Sequence, residues 1–341
     1  MHGGKIGAMR LLRCVCLMTL LPFWANAQDA SPHAIDIPAW FTESLLDFRE
    51  DVHDAAKEGK RLMVYFGQDG CPYCKALMQT NFSQKTIADK TRRHFVAIAL
   101  NLWGDREVTW TDGRTMTEKA LARSLKVQFT PTLLFLDERG AVVVRLNGYY
   151  APHRFEAALD YVIGNMEQKL PLAEYLAAKA HDAANPWLAE EPFFLKPPYD
   201  LRRSRGAKPL AVLFETPHCA ACDELHREGF KRAEVAQLLK RFDVVRLSLA
   251  DRAEVVTPAG AKTNGAAWAR ALGIAYTPSV VFFDGSAEVL RVEAYLRPFH
   301  LASALEYVAS GAYRKEPSFQ RFIQARAERL RGRGEAVDLW K

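Results

Sequence analysis

The feature that most constrains the fold of this chain is an internal repeat of about one hundred residues. Residues 60–162 align with residues 208–308, and the offset between equivalent positions drifts only from 148 to 146. Two long copies predict two domains of one fold, because solenoids are built from three or more short units. The chain has 341 residues, and a single hydrophobic core stops growing near roughly 250–300 residues, which also favours two domains. The best-matched motifs are Cys71-Pro72-Tyr73-Cys74 with Cys219-Ala220-Ala221-Cys222, and Thr130-Pro131 with Thr277-Pro278.

Each repeat predicts alternating strands and helices. Short apolar runs, such as residues 62–66 and 132–136, are typical of buried strands, and helical patterns follow each cysteine pair and end each repeat. This alternation, with a closing hairpin, predicts an α/β fold with a mixed sheet flanked by helices. We expect the following organisation: a first domain at 38–165, a linker at 170–207, a second domain at 208–312 and an amphipathic C-terminal helix at 315–335.

Residues 1–27 predict a cleaved signal peptide. Lys5, Arg10 and Arg13 form a basic region, an apolar run follows, and Ala25-Asn26-Ala27 is typical of a cleavage site. The apolar run is about half the roughly 20 residues that span a bilayer, which disfavours the alternative of an uncleaved anchor. A lipoprotein is disfavoured by the charged residue directly before Cys14. We therefore expect a soluble protein of the periplasm.

Export leaves four cysteines, arranged as two C-x-x-C pairs. Disulfides persist in oxidising compartments, but one that closes a two-residue gap restricts the unfolded chain very little. A cysteine at a helix N-terminus meets the positive end of the helix dipole, which favours the thiolate. The second cysteine, one turn later, can resolve a mixed disulfide. The spacing therefore predicts Cys71 and Cys219 as nucleophiles, and Cys74 and Cys222 as resolving thiols that are more buried.

Zinc is the alternative ligand for four cysteines. Ordinary zinc modules separate their pairs by roughly 15–20 residues, whereas 144 residues lie between these two pairs. We therefore predict no metal site and no cofactor. The formal net charge of +6 is mild, and three of these charges lie in the predicted signal peptide, so nucleic acid is not an expected partner.

With these motifs in place, both repeats resemble the thioredoxin superfamily. The first resembles the periplasmic thioredoxin-like proteins associated with bacterial sulfur oxidation, at residues 66–75, 105–108, 130–132 and 146–149. The resemblance implies the thioredoxin fold, thiol–disulfide oxidoreductase activity, protein substrates and reduction by a membrane electron carrier. It also implies that Pro131 and Pro278 are cis prolines that face the cysteines, and that Thr130 and Thr277 offer backbone groups to an extended substrate.

The sequence departs from thioredoxin at two kinds of position. Thioredoxin carries a buried aspartate six residues before its first cysteine, where this chain has Tyr65 and Leu213. Gly70 and His218 stand where thioredoxin has an aromatic residue. His218 either stabilises the neighbouring thiolate or is a turn residue, and Tyr73 either faces substrate or fills the turn.

Taken together, the sequence predicts an exported tandem thioredoxin-fold protein that exchanges disulfides with proteins as a reductase. The alternative is a non-catalytic protein, an adaptor or holdase, in which the two folds serve as peptide-binding surfaces. In a further variant of this alternative, the second domain is a binding module that keeps its cysteines as a disulfide.

Overall fold

A computed structural model describes residues 1–3, 34–179, 184–204 and 206–339. The predicted signal peptide, apart from its first three residues, lies outside the described residues. Among the described helices, none combines the length and apolar character needed to cross a membrane.

The first repeat follows the predicted alternation of strands and helices. Its central strand is buried along its whole length, as expected for an apolar run covered on both faces. A π-helical turn, Leu77–Asn81, continues the short helix that carries the cysteines. The elements are α1 (Phe48–Lys57), β1 (Arg61–Gly67), α2 (Pro72–Ala76), α3 (Lys85–His94), β2 (Phe95–Asn101), β3 (Glu107–Thr109), β4 (Thr115–Thr117), α4 (Glu118–Ser124), β5 (Thr132–Leu136), β6 (Val142–Asn147), α5 (Pro152–Ile163) and α6 (Leu172–Lys179).

The second repeat has the same elements, except that it lacks a counterpart of α1 and begins with a short additional strand, β7. It also carries the π-helical turn, at Leu225–Gly229. Its elements are β7 (Tyr199–Asp200), β8 (Leu210–Glu215), α7 (Ala220–Glu224), α8 (Ala233–Leu239), β9 (Asp243–Ser248), β10 (Glu254–Val256), β11 (Lys262–Asn264), α9 (Gly265–Ala271), β12 (Ser279–Asp284), β13 (Ala287–Val292), α10 (Pro298–Ala309) and α11 (Phe319–Arg331).

Each repeat is organised around a four-stranded mixed sheet. The strand orders are β2-β1-β5-β6 and β9-β8-β12-β13. In both sheets the central strand is parallel to one neighbour and antiparallel to the other. The predicted α/β fold class is confirmed. This topology brings the loop after the central strand, which carries the cysteines, next to the start of β5 or β12, which carries the Thr-Pro.

The duplicated unit extends beyond the residues that the sequence alignment matched. The Tyr161 hydroxyl donates to the Leu170 carbonyl at 2.6 Å, and the Tyr307 hydroxyl donates to the Glu316 carbonyl at 2.6 Å. Both pairs of residues differ by 146 positions, so the helices that follow, α6 and α11, are equivalent. The terminal helix and the start of the presumed linker are therefore the same element in two copies.

The second repeat also begins earlier than its sequence match. The Thr42 N–H donates to the Ala97 carbonyl at 2.7 Å, and the Leu195 N–H donates to the Val244 carbonyl at 2.8 Å. These are equivalent contacts on β2 and β9. Leu201 is fully buried in the second repeat, so residues 194–204 pack as part of that repeat.

The two repeats belong to one compact unit and contact each other through equivalent positions. Asn147 donates through Nδ2 to Oε2 of Glu293, its own equivalent, at 2.5 Å. A Cβ on Gly148 would lie 2.9 Å from the Cβ of Ala294, again its own equivalent. Contact between a residue and its own equivalent marks an isologous, two-fold interface. The duplicated chain therefore forms an internal dimer.

Aromatic residues directly before the two Thr-Pro motifs cross this interface. Phe129 packs against Phe319 of α11, with ring centroids 5.3 Å apart. Its equivalent, Tyr276, packs against Tyr150 of the first repeat at 4.2 Å. Each repeat thus inserts one ring into the other, which ties the interface to the backbone that faces the cysteines.

A buried cluster of charged groups holds the chain between the repeats. His226 contacts Glu215 through Nε2 and Glu191 through Nδ1, both at 3.1 Å. Lys231 pairs with Glu191 at 2.8 Å. Burial lowers the pKa of His226, but the two carboxylates raise it by more. The net shift is therefore upward from 6.5.

Replacing His226 by glutamine should therefore destabilise the protein in a pH-dependent way. Removing one partner from a buried charged network costs about 3 kcal/mol. Because the folded pKa is raised, this contribution is present in full below pH 6.5 and is lost as the pH rises through the folded pKa. Urea unfolding between pH 5 and 9, with the exposed His53→Gln as control, measures it. A loss that does not vary with pH would contradict the charged state of His226.

Candidate active site

The cysteine pairs begin the helices α2 and α7. Cys71 is the N-cap of α2, and its Sγ accepts the backbone N–H of Cys74 at 3.1 Å. Cys219 caps α7 in the same way, with the N–H of Cys222 at 3.1 Å. In most helices a side-chain oxygen of the N-cap residue accepts hydrogen bonds from the free N–H groups of the first turn. Here the cysteine sulfur is the acceptor. This environment stabilises a thiolate.

The two pairs stand in different oxidation states. Cys219 and Cys222 form a disulfide, whereas Cys71 and Cys74 are free and buried thiols. The two arrangements are the two ends of a dithiol–disulfide couple. Within the second pair, Cys222 is slightly more exposed than Cys219, 5% against 1%, so the predicted greater burial of the resolving thiol holds only in the first pair.

A Thr-Pro motif faces each cysteine pair. The bonds Thr130-Pro131 and Thr277-Pro278 are both cis, as the resemblance implied. The Cys71 thiol donates to the Thr130 carbonyl at 3.3 Å, and the Thr130 hydroxyl donates to the Cys71 sulfur at 3.3 Å. The Cys219 sulfur, which carries no hydrogen in the disulfide, lies 3.5 Å from the Thr277 carbonyl. Each threonine and proline is buried, so an extended substrate does not reach these backbone groups in this arrangement.

Burial governs the acidity of the first pair. Desolvation raises the pKa of Cys71, although the Thr130 hydroxyl and the Cys74 N–H oppose this. At Cys74 burial also disfavours the charge, but hydrogen bonds from Cys71 and the Gln68 backbone, together with the nearby Tyr65 hydroxyl, outweigh it and lower the pKa. The closed arrangement therefore favours the thiolate at Cys74, whereas the spacing predicts it at Cys71. The reason is the burial of Cys71, to which the neighbouring Cys74 adds.

Tyr65 lies behind the resolving thiol, at the position where thioredoxin has an aspartate. Its side chain is buried, and its hydroxyl makes no hydrogen bond of ordinary geometry with the described residues. Burial and then the neighbouring Cys74 raise the pKa of Tyr65, so the phenol stays protonated. Gly67 makes the space for it, because a Cβ there would lie 2.0 Å from the Tyr65 hydroxyl. A neutral phenol can stabilise a Cys74 thiolate but cannot act as its base.

Tyr65→Phe should raise the pKa of Cys74, because the thiolate loses a donor that lowers it. Thiolate absorbance titrated against pH, in a variant with Cys219 and Cys222 replaced by serine, measures the change. Tyr150→Phe is the matched control, since that hydroxyl is also buried without a partner among the described residues. Equal titrations for both tyrosine variants would exclude a role for Tyr65.

Tyr73, between the first two cysteines, is anchored in the second repeat. Its hydroxyl accepts the Arg297 N–H at 2.9 Å, and its ring meets the His300 ring edge-on at 5.3 Å. The motif residues of both repeats, Pro72-Tyr73 and Ala220-Ala221, line one cleft of about 440 Å³. The sequence left open whether Tyr73 faces substrate or fills the turn. In the structure its side chain contacts the second repeat.

His218 adopts a left-handed backbone conformation, with φ 55°. Its N–H donates to the Asn185 carbonyl at 2.8 Å, which ties the second cysteine loop to the segment between the repeats. The exposed residues Pro217, His218 and Ala220 flank the second pair.

Helix α11 covers the first cysteine pair. The Gln320 side chain accepts from Gln68 Nε2 at 2.9 Å and donates to the Gln128 carbonyl at 3.0 Å. Between α11 and the cysteine loop remains a cavity of about 190 Å³ with Cys71 in its wall. Sequence reasoning identified the amphipathic helix but missed its position, and it missed Gln320 and His300 as neighbours of the site. Gln320 lies on α11 and His300 lies near the start of α10, and neither residue belongs to a motif that the two copies share.

Within the described ranges, no three His, Cys, Asp or Glu side chains are grouped so as to hold a metal ion.

Comparison with known proteins identifies the family of both repeats. The sequence profile described as Thioredoxin-like domain matches residues 48–163 and 202–309, about two thirds of the chain. Each matched region contains one C-x-x-C pair and one Thr-Pro motif. A search of curated proteins finds no match.

Solved structures match one repeat's length of the chain. A thioredoxin-fold protein from Helicobacter pylori is 27% identical, with 40% of this chain and 91% of that chain covered and a TM-score of 0.31. A thioredoxin from Thermus thermophilus is 27% identical, with 34% and 83% covered and a TM-score of 0.28. The oxidised C-terminal domain of DsbD from Neisseria meningitidis is 17% identical, with 38% and 98% covered and a TM-score of 0.26.

Proposed function

Because this chain belongs to the family of thioredoxin-like domains, we propose that it is a thiol–disulfide oxidoreductase. The observation that carries the proposal is the paired arrangement of an N-cap cysteine against a Thr-Pro carbonyl, which occurs in both repeats. Two reactive geometries in one chain are more than a structural disulfide requires, because a bridge over two residues contributes little stability.

In the proposed reaction, Cys71 as thiolate attacks a partner disulfide. One partner sulfur leaves as a thiolate, and a mixed disulfide forms on Cys71. Cys74 then attacks the Cys71 sulfur, which releases the second partner sulfur and leaves a Cys71–Cys74 disulfide. Two electrons pass from the dithiol to the partner. Cys219 and Cys222 carry out the same exchange in the second repeat.

We further propose that the protein is exported and acts as a reductase. The basic, apolar and Ala-x-Ala pattern of residues 1–27 supports export to the periplasm. The resemblance to proteins associated with sulfur oxidation supports the reductive direction, with protein partners and a membrane electron carrier that returns the dithiol. Exposed residues flank the second pair, although Cys219 itself is as buried as Cys71.

Insulin reduction by dithiothreitol tests this function against the adaptor or holdase alternative. An oxidoreductase accelerates the precipitation of the insulin B chain, whereas a holdase delays it. The control is the chain with all four C-x-x-C cysteines replaced by serine, which should not accelerate precipitation. Equal acceleration by that control, or delay by the native chain, would reject the proposed function.

A further inference from the structure

We propose that Cys71 and Cys74 act on a low-molecular-weight disulfide without negative charge, which binds in the cavity between the repeats. This inference rests on the proposed thiol–disulfide exchange and names the substrate class of its first site.

The size of the cavity points to a small molecule. Its volume is about 190 Å³, below the roughly 300–1,000 Å³ of pockets for drug-sized ligands. Cys71 lies in the wall that the first repeat provides. The opposite wall comes from the β13–α10 loop and α11, through Glu293, Leu296, His300, Phe319 and Ile323. Exposed Asp69 and Gln324 also line it and mark the side that faces solvent.

The same closure excludes a protein substrate from Cys71. Cys71 is 4% exposed and Thr130 is 6% exposed. Gln320 bridges Gln68 and the Gln128 carbonyl across this side of the site. An extended peptide can pair with Thr130 only after α11 leaves, whereas a small disulfide needs no such movement.

The cavity differs from the spaces near the second pair in having a cysteine in its wall. At the equivalent place beside Thr277, the remaining space is about 10 Å³, room for no more than about one water molecule. Tyr276 fills it, with the guanidinium of Arg154 5.3 Å above its ring. Arg154 is the equivalent of His300. The larger space near the second pair is the cleft of about 440 Å³ that Pro72-Tyr73 and Ala220-Ala221 line together, and Cys219 is not among its lining residues.

The lining contains an unpaired polar group suited to hold a ligand. Nδ1 of His300 is buried and has no hydrogen-bond partner among the described residues. Burial lowers the pKa of His300 to about 4, so the ring is neutral at pH 7. A neutral imidazole nitrogen can accept or donate one hydrogen bond. An unsatisfied buried nitrogen is costly, and a polar end of a bound ligand would satisfy it once the ring turns toward the cavity.

The charges of the lining select against anions. The carboxyl groups of Asp69 and Glu293 border the cavity, and the described lining residues include no lysine or arginine. Burial raises the pKa of Glu293, and Arg291 lies 3.5 Å from it, so its charge is partly compensated. Neutral or cationic disulfides are therefore favoured. The exchange balances as one disulfide and one dithiol giving one protein disulfide and two small thiols, each of which takes up one of the two thiol protons.

Three disulfides with similar chain lengths test this inference: cystamine (cationic), bis(2-hydroxyethyl) disulfide (neutral) and 3,3′-dithiodipropionate (anionic). The protein is the full chain with Cys219 and Cys222 replaced by serine and with its remaining pair reduced. Rates of thiol loss are divided by the rates with free dithiothreitol. We expect the first two probes to react at least tenfold faster than the anionic probe, and insulin to react more slowly still.

Two variants separate binding in the cavity from intrinsic reactivity. Ile323→Trp fills the cavity and should slow cystamine at least tenfold, whereas Glu328→Trp, exposed on the same helix, should not. Glu293→Gln should reduce the preference for cystamine over 3,3′-dithiodipropionate at least threefold. This variant tests the effect of charge independently, even if Ile323→Trp displaces α11. The inference would be overturned if all three probes and insulin reacted at equal relative rates and neither Ile323→Trp nor Glu293→Gln changed them. The proposed function would then still stand. Thiol loss with none of the disulfides would instead reject the proposed function.

Discussion

Replacing Cys71 by serine should reduce disulfide exchange at the first site more than about a thousandfold, because the attacking sulfur is lost. Replacing Cys74 should have a different result. The attack on the partner still occurs, but no thiol resolves the mixed disulfide, so the partner stays bound to Cys71. Mass spectrometry of the two variants, each with Cys219 and Cys222 also replaced by serine, distinguishes these outcomes.

The structure makes this a demanding test of the assigned roles. In the closed arrangement burial raises the pKa of Cys71, and hydrogen bonds lower that of Cys74. If Cys74 were the attacking thiol, Cys71→Ser would be the variant that captures the partner. Capture by Cys71→Ser, or equal capture by both, would reverse or cancel the assignment.

Replacing Tyr276 by alanine should open the interface between the repeats. Tyr276 is buried against Tyr150, with ring centroids 4.2 Å apart, and lies beneath the Arg154 guanidinium. Truncating a buried aromatic residue costs about 3 kcal/mol. If that cost falls on the closed arrangement, the open population rises by roughly 100-fold. Water then reaches Cys71, so its rate of alkylation by iodoacetamide should rise by up to the same factor.

Tyr313→Ala is the control for this prediction. Tyr313 lies in the second repeat and bonds Asp284, away from the first pair of cysteines. The Tyr313→Ala substitution should lower the free energy of unfolding without changing the alkylation rate of Cys71 in the native protein. Similar alkylation rates for both variants would mean that docking of the second repeat does not protect Cys71.

The fold and the atoms of the chemistry were readable from the sequence because their signals are local and occur twice. An apolar strand, a C-x-x-C at a helix start and a Thr-Pro before another strand predict an α/β fold, and the resemblance to thioredoxins implies that cysteine and proline face each other. The structure confirms the α/β class and shows both cis bonds. The signal peptide lies almost wholly outside the described residues, and the roles of the cysteines, threonines and prolines remain predictions.

The boundaries of the repeat were harder to read. Residues 194–204 align with residues near position 42 only through equivalent backbone hydrogen bonds, and their side chains differ. The helices α6 and α11 share a position but little sequence. A backbone contact can be kept while the side chains change. Sequence similarity is then lost although the structures remain similar.

By itself, then, the sequence determined two sheets and two cysteine pairs, since strand pairing and helix capping depend on residues close in the chain or on repeated patterns. The prolines that face the cysteines were implied by the resemblance to thioredoxins. Only the tertiary structure decided how far each cysteine is desolvated. Tyr73 meets Arg297 across 224 positions, and Gln68 meets Gln320 across 252. Such contacts depend on how two finished surfaces fit, and burial by a docked surface, which sets the acidity of Cys71, has no signature in the local sequence.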